Sequence, residues 1–123
     1  MSGYNFTIVK LRHPVASIHH IAPTMLTSVG TVEAIKHAIS ESFLGTTWTE
    51  TPGGATGRWW YPGQQTWIDF NVYQHGHHFV IDSAFGEADY PLVSAFCERG
   101  GWTACDSQLM RILGANISAG EHQ

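Results

Sequence analysis

Asp69 and Asp82 are the side chains with the clearest capacity for chemistry in this 123-residue sequence. They belong to two runs, Trp67-Ile68-Asp69-Phe70-Asn71-Val72-Tyr73 and His78-Phe79-Val80-Ile81-Asp82, set around a His75-Gly76 corner. Alternation of polar and apolar residues marks strands, and a two-residue corner with glycine marks a hairpin. That corner pairs Tyr73 with His78, Val72 with Phe79, Phe70 with Ile81 and Ile68 with Ser83, which sets Asp69 across from Asp82. Apolar residues meet apolar residues along the ladder, so the register supports itself. Opposed side chains have Cβ atoms about 5 Å apart, and two carboxylates that close repel by roughly 1 kcal/mol in water and by several when screened from solvent. Such a pair can share a proton, invite a cation, or divide into acid and base. An arginine neighbour or a one-residue bulge would instead leave it a solvated surface feature.

One face of this hairpin is Ile68, Phe70, Val72, Phe79 and Ile81, a core face. The other holds Trp67, Asp69, Asn71, Tyr73, His78, Val80 and Asp82 and should look away from any covering helices. Trp67, Asp69, Asn71, Tyr73, His78 and Asp82 are therefore the candidate binding residues. Trp59 and Tyr61, from the run Arg58-Trp59-Trp60-Tyr61, are expected beside them. Clustered aromatics of this kind fill cores and interfaces more often than they cradle a planar ligand.

Eight histidines raise the question of a metal. No Cys or His pair has zinc-finger or H-E-x-x-H spacing, and adjacent strand histidines such as His19-His20 and His77-His78 point to opposite faces. A mixed site from His78, Asp69 and Asp82 is geometrically feasible, but solvated tip histidines are the simpler expectation, and neither metal nor cofactor is assigned. Cys97 falls on the apolar side of a predicted helix and Cys105 on the following strand. Both are read as free, buried thiols, small hydrophobes rather than nucleophiles. The Pro52-Gly53-Gly54-Ala55-Thr56-Gly57 stretch lacks the lysine and helix of a phosphate cradle and reads as a flexible loop between strands.

Apolar residues make up 43% of the chain, enough to bury one core at this length. Charged residues make up only 13%, which points to a surface hidden by self-association, most simply a homodimer. The formal charge of −4, without a basic run, argues against nucleic acid. The N-terminal residues lack the pattern of a secretory signal, no apolar run approaches membrane-spanning length, and the two cysteines form no disulfide framework. A cytoplasmic location and no membrane partner are the expectation.

The elements that must position these residues follow from periodicity. Asn5 to Arg12 is a strand, ended by His13-Pro14. Ser17 to Ile21 reads as a short strand, and Pro23 as the start of a helical turn. Val32, Ile35, Ile39 and Phe43 form one stripe of a helix running from about Ser28 to Phe43. Thr46–Thr51 and Arg58–Tyr61 are strands. Asp89 and Pro91 open a second helix that Gly100-Gly101 stops. Trp102–Cys105 and Met110–Leu113 are further strands, and residues 115–123 read as a frayed tail. The whole chain, 1–123, is thus a single α+β domain. Its predicted architecture is a two-layer sandwich, a mostly antiparallel sheet with two helices on one face, ferredoxin-like or a split β-α-β variant.

Ile68-Asp69-Phe70-Asn71, the hairpin, and Phe96-Cys97-Glu98-Arg99-Gly100-Gly101-Trp102-Thr103-Ala104-Cys105-Asp106 together resemble a pattern in small bacterial proteins, some carried on integron gene cassettes or among mobile elements. The likeness covers the C-terminal two thirds and rests on a strand, a helix stop and a tryptophan. It implies a compact cytosolic α+β protein, often oligomeric, and brings no catalytic residues with it.

The function expected from these residues is a non-enzymatic, homodimeric binding module whose open polar and aromatic sheet face takes a partner protein or a small, cationic ligand. The alternative is a small hydrolase or isomerase that uses Asp69 and Asp82 as acid and base.

Overall fold

Alternating side chains do build a sheet, and its order decides which polar residues become neighbours. The computed structural model describes residues 3–118. In chain order the elements are β1 (Tyr4–Leu11), β2 (Leu26–Thr27), α1 (Val32–Ser42), β3 (Thr47–Thr51), β4 (Gly54–Trp60), β5 (Trp67–Tyr73), β6 (Phe79–Ser83), α2 (Tyr90–Gly100), β7 (Thr103–Asp106) and β8 (Arg111–Gly114). Every strand pair is antiparallel, in the order β3-β4-β5-β6-β1-β7-β8, with β2 beside the far end of β1.

The central order β5-β6-β1-β7, with α1 and α2 as connections, is the ferredoxin-like arrangement of two split β-α-β units. The β3–β4 hairpin extends one edge and β8 the other. Both helices press onto the same sheet face. Ile35 and Ile39 of α1, with Val93, Phe96 and Cys97 of α2, share a core with Phe6, Ile8, Ile68, Phe70, Val72, Phe79, Ile81 and Ala104. Each of the Val, Ile and Phe side chains contributes about 1.5–3 kcal/mol on burial, so this face dominates the stability of the fold.

Local chemistry sets the helix ends. The Thr31 hydroxyl accepts from the Ala34 amide at 3.1 Å, starting α1 at Val32, the first residue of its apolar stripe and four residues after the expected start near Ser28. Gly101 stops α2 with a left-handed φ of +76°. Asp89 occupies the N-cap position of α2, yet its side chain does not cap that helix.

Three expectations need correction. Residues Ser17–Ile21 are not a strand: Ile18–His20 is a 3₁₀ turn capped by the Ser17 hydroxyl, followed by the expected turn at Pro23–Met25. This segment folds over the polar side of β1, where Val15, Ile21, Met25 and Leu26 pack on Val9, Leu11, Cys105 and Ile112 as a second, smaller core. The Pro52–Gly57 loop is mostly strand, since β4 starts at Gly54. Its glycines answer close packing: a Cβ on Gly54 would lie 1.8 Å from the Val72 carbonyl oxygen, and one on Gly57 would lie 2.8 Å from the Trp48 ring. The chain after β8 is held through residue 118, because Ile117 bridges Val15 and the Ser118 amide donates to the Val15 carbonyl at 2.8 Å. The remainder of the expected frayed tail lies outside the described residues.

Candidate functional site

Antiparallel pairing in the observed register lays Thr47, Arg58, Asp69, Asp82 and Asn5 in one row across the sheet, from β3 to β1. The row lies on the face opposite the helices. The β5–β6 ladder stops at Val72–Phe79: Tyr73 and His78 are not paired, and the turn closes through the Gly76 amide on the Tyr73 carbonyl at 3.3 Å instead of a two-residue His75-Gly76 corner. Asp69 and Asp82 are nonetheless paired as expected. Their repulsion is relieved from outside the pair, by a strand whose register the sequence did not reveal. Arg58 donates from Nε to Asp69 Oδ1 at 2.9 Å and from Nη2 to Oδ2 at 3.2 Å, a forked, charge-assisted contact. The guanidinium also stacks on Trp67, with Cζ 4.2 Å from the ring centroid. The Trp67 indole donates to Asp69 Oδ2 at 3.2 Å. Both oxygens of Asp69 are thus committed.

Asp82 is less compensated. The Asn71 amide donates to its Oδ2 at 3.3 Å, and the Thr56 hydroxyl donates to Asn71 Oδ1 at 3.3 Å. Partial burial, and then the Asp69 charge, push the Asp82 carboxyl above its ordinary range, against a smaller opposing effect of Asn71. Arg58 is 43% and Asp69 19% exposed, so this is a half-wet surface.

The remaining candidates divide. Tyr73 and His78 lie at the tip end of the same face, their rings 5.5 Å apart. There Tyr73, His75 and His77 stack ring on ring, with centroids 5.1 and 4.8 Å apart. Burial, then the neighbouring His75 and His77, push the His78 imidazole below its usual range. His78 belongs to this ring cluster and not to the acids. Among the described residues no three His, Cys, Asp or Glu side chains converge as a metal requires.

Trp59 and Tyr61 do not join the face, which corrects the expectation. Trp59 pairs in register with the buried Ile68, and so points to the helix side. It packs at 5.2 Å from Phe43 and 5.2 Å from Tyr61, which stands 4.8 Å from Phe85. Parity along β4 gives the polar face Arg58 and Trp60 instead, and Trp60 meets Trp67 edge to face at 4.8 Å. Arg58 is the residue that sequence reasoning passed over. Only the β4–β5 register exposes its role, and reading Pro52–Gly57 as a loop hid that register.

Two further carboxylates are buried on the helix side. Asp106 accepts from the Tyr4 hydroxyl at 2.6 Å, from the Tyr90 hydroxyl, and from the Gln108 side chain at 2.6 Å and the Leu109 amide at 3.2 Å. Burial raises its pKa, but these donors outweigh burial and hold the carboxyl below its ordinary range. Asp89 accepts from the Tyr61 hydroxyl and from the Phe85 amide at 3.3 Å. These contacts tie β1, β7 and the residue after β4 to the start of α2 and complete the structure around each acid. Burial pushes the thiol of Cys97 well up and that of Cys105 to about 11, consistent with inert sulfur.

Cavities of about 440, 530, 610 and 360 Å³ open elsewhere, and neither Asp69 nor Asp82 lines any of these four. The polar sheet face carries charges ordered by hydrogen bonds and stacking. No helix among the described residues is long and apolar enough to cross a membrane. Comparison with protein-family models, with curated proteins and with solved structures gave no match.

Proposed function

We propose that this chain is a binding module and that the sheet face centred on Arg58, Trp67, Asp69, Asn71 and Asp82 is its contact surface, with a second copy of the chain as the occupant. The observation that carries the reading is the Arg58–Asp69–Asp82 row, ordered in advance by Trp67 and Asn71 on the sheet face opposite α1 and α2. The row is self-complementary. A twofold axis through it would set the guanidinium of one copy against the less compensated Asp82 of the other, and the reverse contact follows by symmetry. Trp, Tyr and Arg, which dominate interface energies, are concentrated here, and Trp60 is 48% exposed beside them. A chain with 13% charged residues has little else to keep such a face apart from its like.

Sedimentation equilibrium tests this directly. Wild-type protein should be a dimer, and Asp82→Arg should be a folded monomer, because the substitution places like charges across the axis while favouring Asp69 within the chain. A wild-type monomer, or an Asp82→Arg dimer, overturns the proposal. If the monomer result came with saturable spermidine binding at the Asn71 amide, the occupant would be a small cation.

The raised carboxyl of Asp82 favours a second reading, acid–base catalysis by the Asp69/Asp82 pair. Asp69 would have to leave Arg58 and Trp67 to act as a base. An NMR titration in which both acids ionise in the ordinary carboxylate range removes this reading.

A further inference from the structure

On the opposite side of the molecule, α1 and α2 enclose a cleft of about 440 Å³, within the size range of small-molecule sites. Its floor is formed by the exposed margins of two buried, rigidly held rings, Phe96 at 1% and Trp102 at 6% exposure. Phe96 and Trp102 pack with ring centroids 5.2 Å apart, and the Trp102 indole is anchored by a 3.0 Å hydrogen bond to the Val29 carbonyl. The same ring lies so tightly against Gly100 that a Cβ there would come within 2.2 Å of it. The floor therefore cannot turn aside without unpacking the end of α2.

The walls carry one charge of each sign. Arg99, on α2, donates from Nη2 to the Ser42 hydroxyl at 2.8 Å, which holds the guanidinium at the mouth of the cleft. A guanidinium has five N–H donors, and Ser42 accepts from one of its nitrogens, so donors remain for a ligand. Glu41, on α1, is held on the other wall by His37, Nε2 to Oε2 at 3.1 Å. Both charged side chains line the cleft with Ala38 beside them.

We infer that the cleft between the helices binds a small zwitterion with an apolar body, an amino acid with a large side chain. Its carboxylate meets Arg99, its ammonium meets Glu41, and its side chain lies on Phe96 and Trp102. A plain anion would be repelled by Glu41 and a plain cation by Arg99, so the pair of walls selects a molecule bearing both charges. This site lies on the helix layer and stands independently of the sheet-face proposal.

Titration of the 123-residue protein with L-phenylalanine, followed by NMR at the Trp102 indole and the Ala38 methyl, tests the inference. Saturable shifts at both are expected. Arg99→Gln should weaken binding by about tenfold, the loss of one charge-assisted contact. Two controls separate the ends of the ligand: 3-phenylpropionate lacks the ammonium and phenethylamine lacks the carboxylate, and each should bind more weakly than phenylalanine. Absence of saturation, undiminished binding by Arg99→Gln, or a control that binds as tightly as phenylalanine overturns the inference.

Discussion

Arg58 lies in register with Asp69 on the neighbouring strand, and its fork takes both carboxylate oxygens at 2.9 and 3.2 Å while its plane rests on Trp67. Asp82 stands on the far side of Asp69, beyond reach of that fork. The row therefore holds one satisfied acid and one that is only partly compensated, and their responses to mutation and pH should differ.

In the dissociated monomer, Arg58→Ala should cost about 1 kcal/mol in chemical denaturation, a modest sum because the pair is half-exposed within one chain. It should also raise the Asp82 titration midpoint further, since the cation nearest the two acids is lost. Arg58→Lys keeps the charge without the fork and should fall between wild type and alanine. An Asp82 midpoint that does not move in Arg58→Ala would show that the Arg58 charge does not reach Asp82.

In the dissociated monomer, where no partner guanidinium faces it, Asp82→Asn should stabilise the protein at neutral pH. An acid whose folded pKa is raised binds more protons in the folded state, so stability falls as pH climbs from the ordinary value of 3.8 through the raised one. The asparagine variant lacks that loss and can still accept from Asn71. Its advantage in melting temperature should be full at neutral pH and vanish below the unfolded-state value. An equal advantage at every pH would rule out ionisation as the cause.

Asp106→Asn should behave in the opposite sense. The side chain is fully buried and accepts from two tyrosines, Gln108 and Leu109. Removing its charge should cost on the order of 3 kcal/mol at neutral pH. A lowered folded pKa means this stability is present above the ordinary value of 3.8 and drains away as pH falls through the folded value. Wild type and variant melting temperatures should converge in acid, and parallel curves would exclude the charged form as the stabilising one.

Gly54→Ala should lose roughly 3 kcal/mol or more, because the new methyl meets the backbone of β5 rather than a side chain that can move. Gly53→Ala is the matched control, as no atom lies within 4 Å of its added Cβ. Circular dichroism melts of the two variants suffice, and similar melting temperatures would mean that β4 and β5 can separate at Gly54 without penalty.

Much of the fold was legible in the chain. The hairpin register, the facing acids, both helix stripes, the stop at Gly101 and the split β-α-β order all follow from local periodicity and turn residues. The Asp69–Asp82 contact in particular is settled within fourteen consecutive residues by apolar matching on either side of Gly76. What only the tertiary structure decided depends on segments that meet from afar. Where β4 lies against β5 assigns Arg58 and Trp60 to the polar face and turns Trp59 and Tyr61 to the helices. The match is fixed by a backbone approach at Gly54 that no periodicity encodes. Asp89 abandoned the helix cap for a hydroxyl that arrives from Tyr61, and residues 13–30 found their place on β1 and β7 as a second core. Local pattern fixes which way a side chain points along its own strand; the partner that meets it is chosen by packing across the whole sheet.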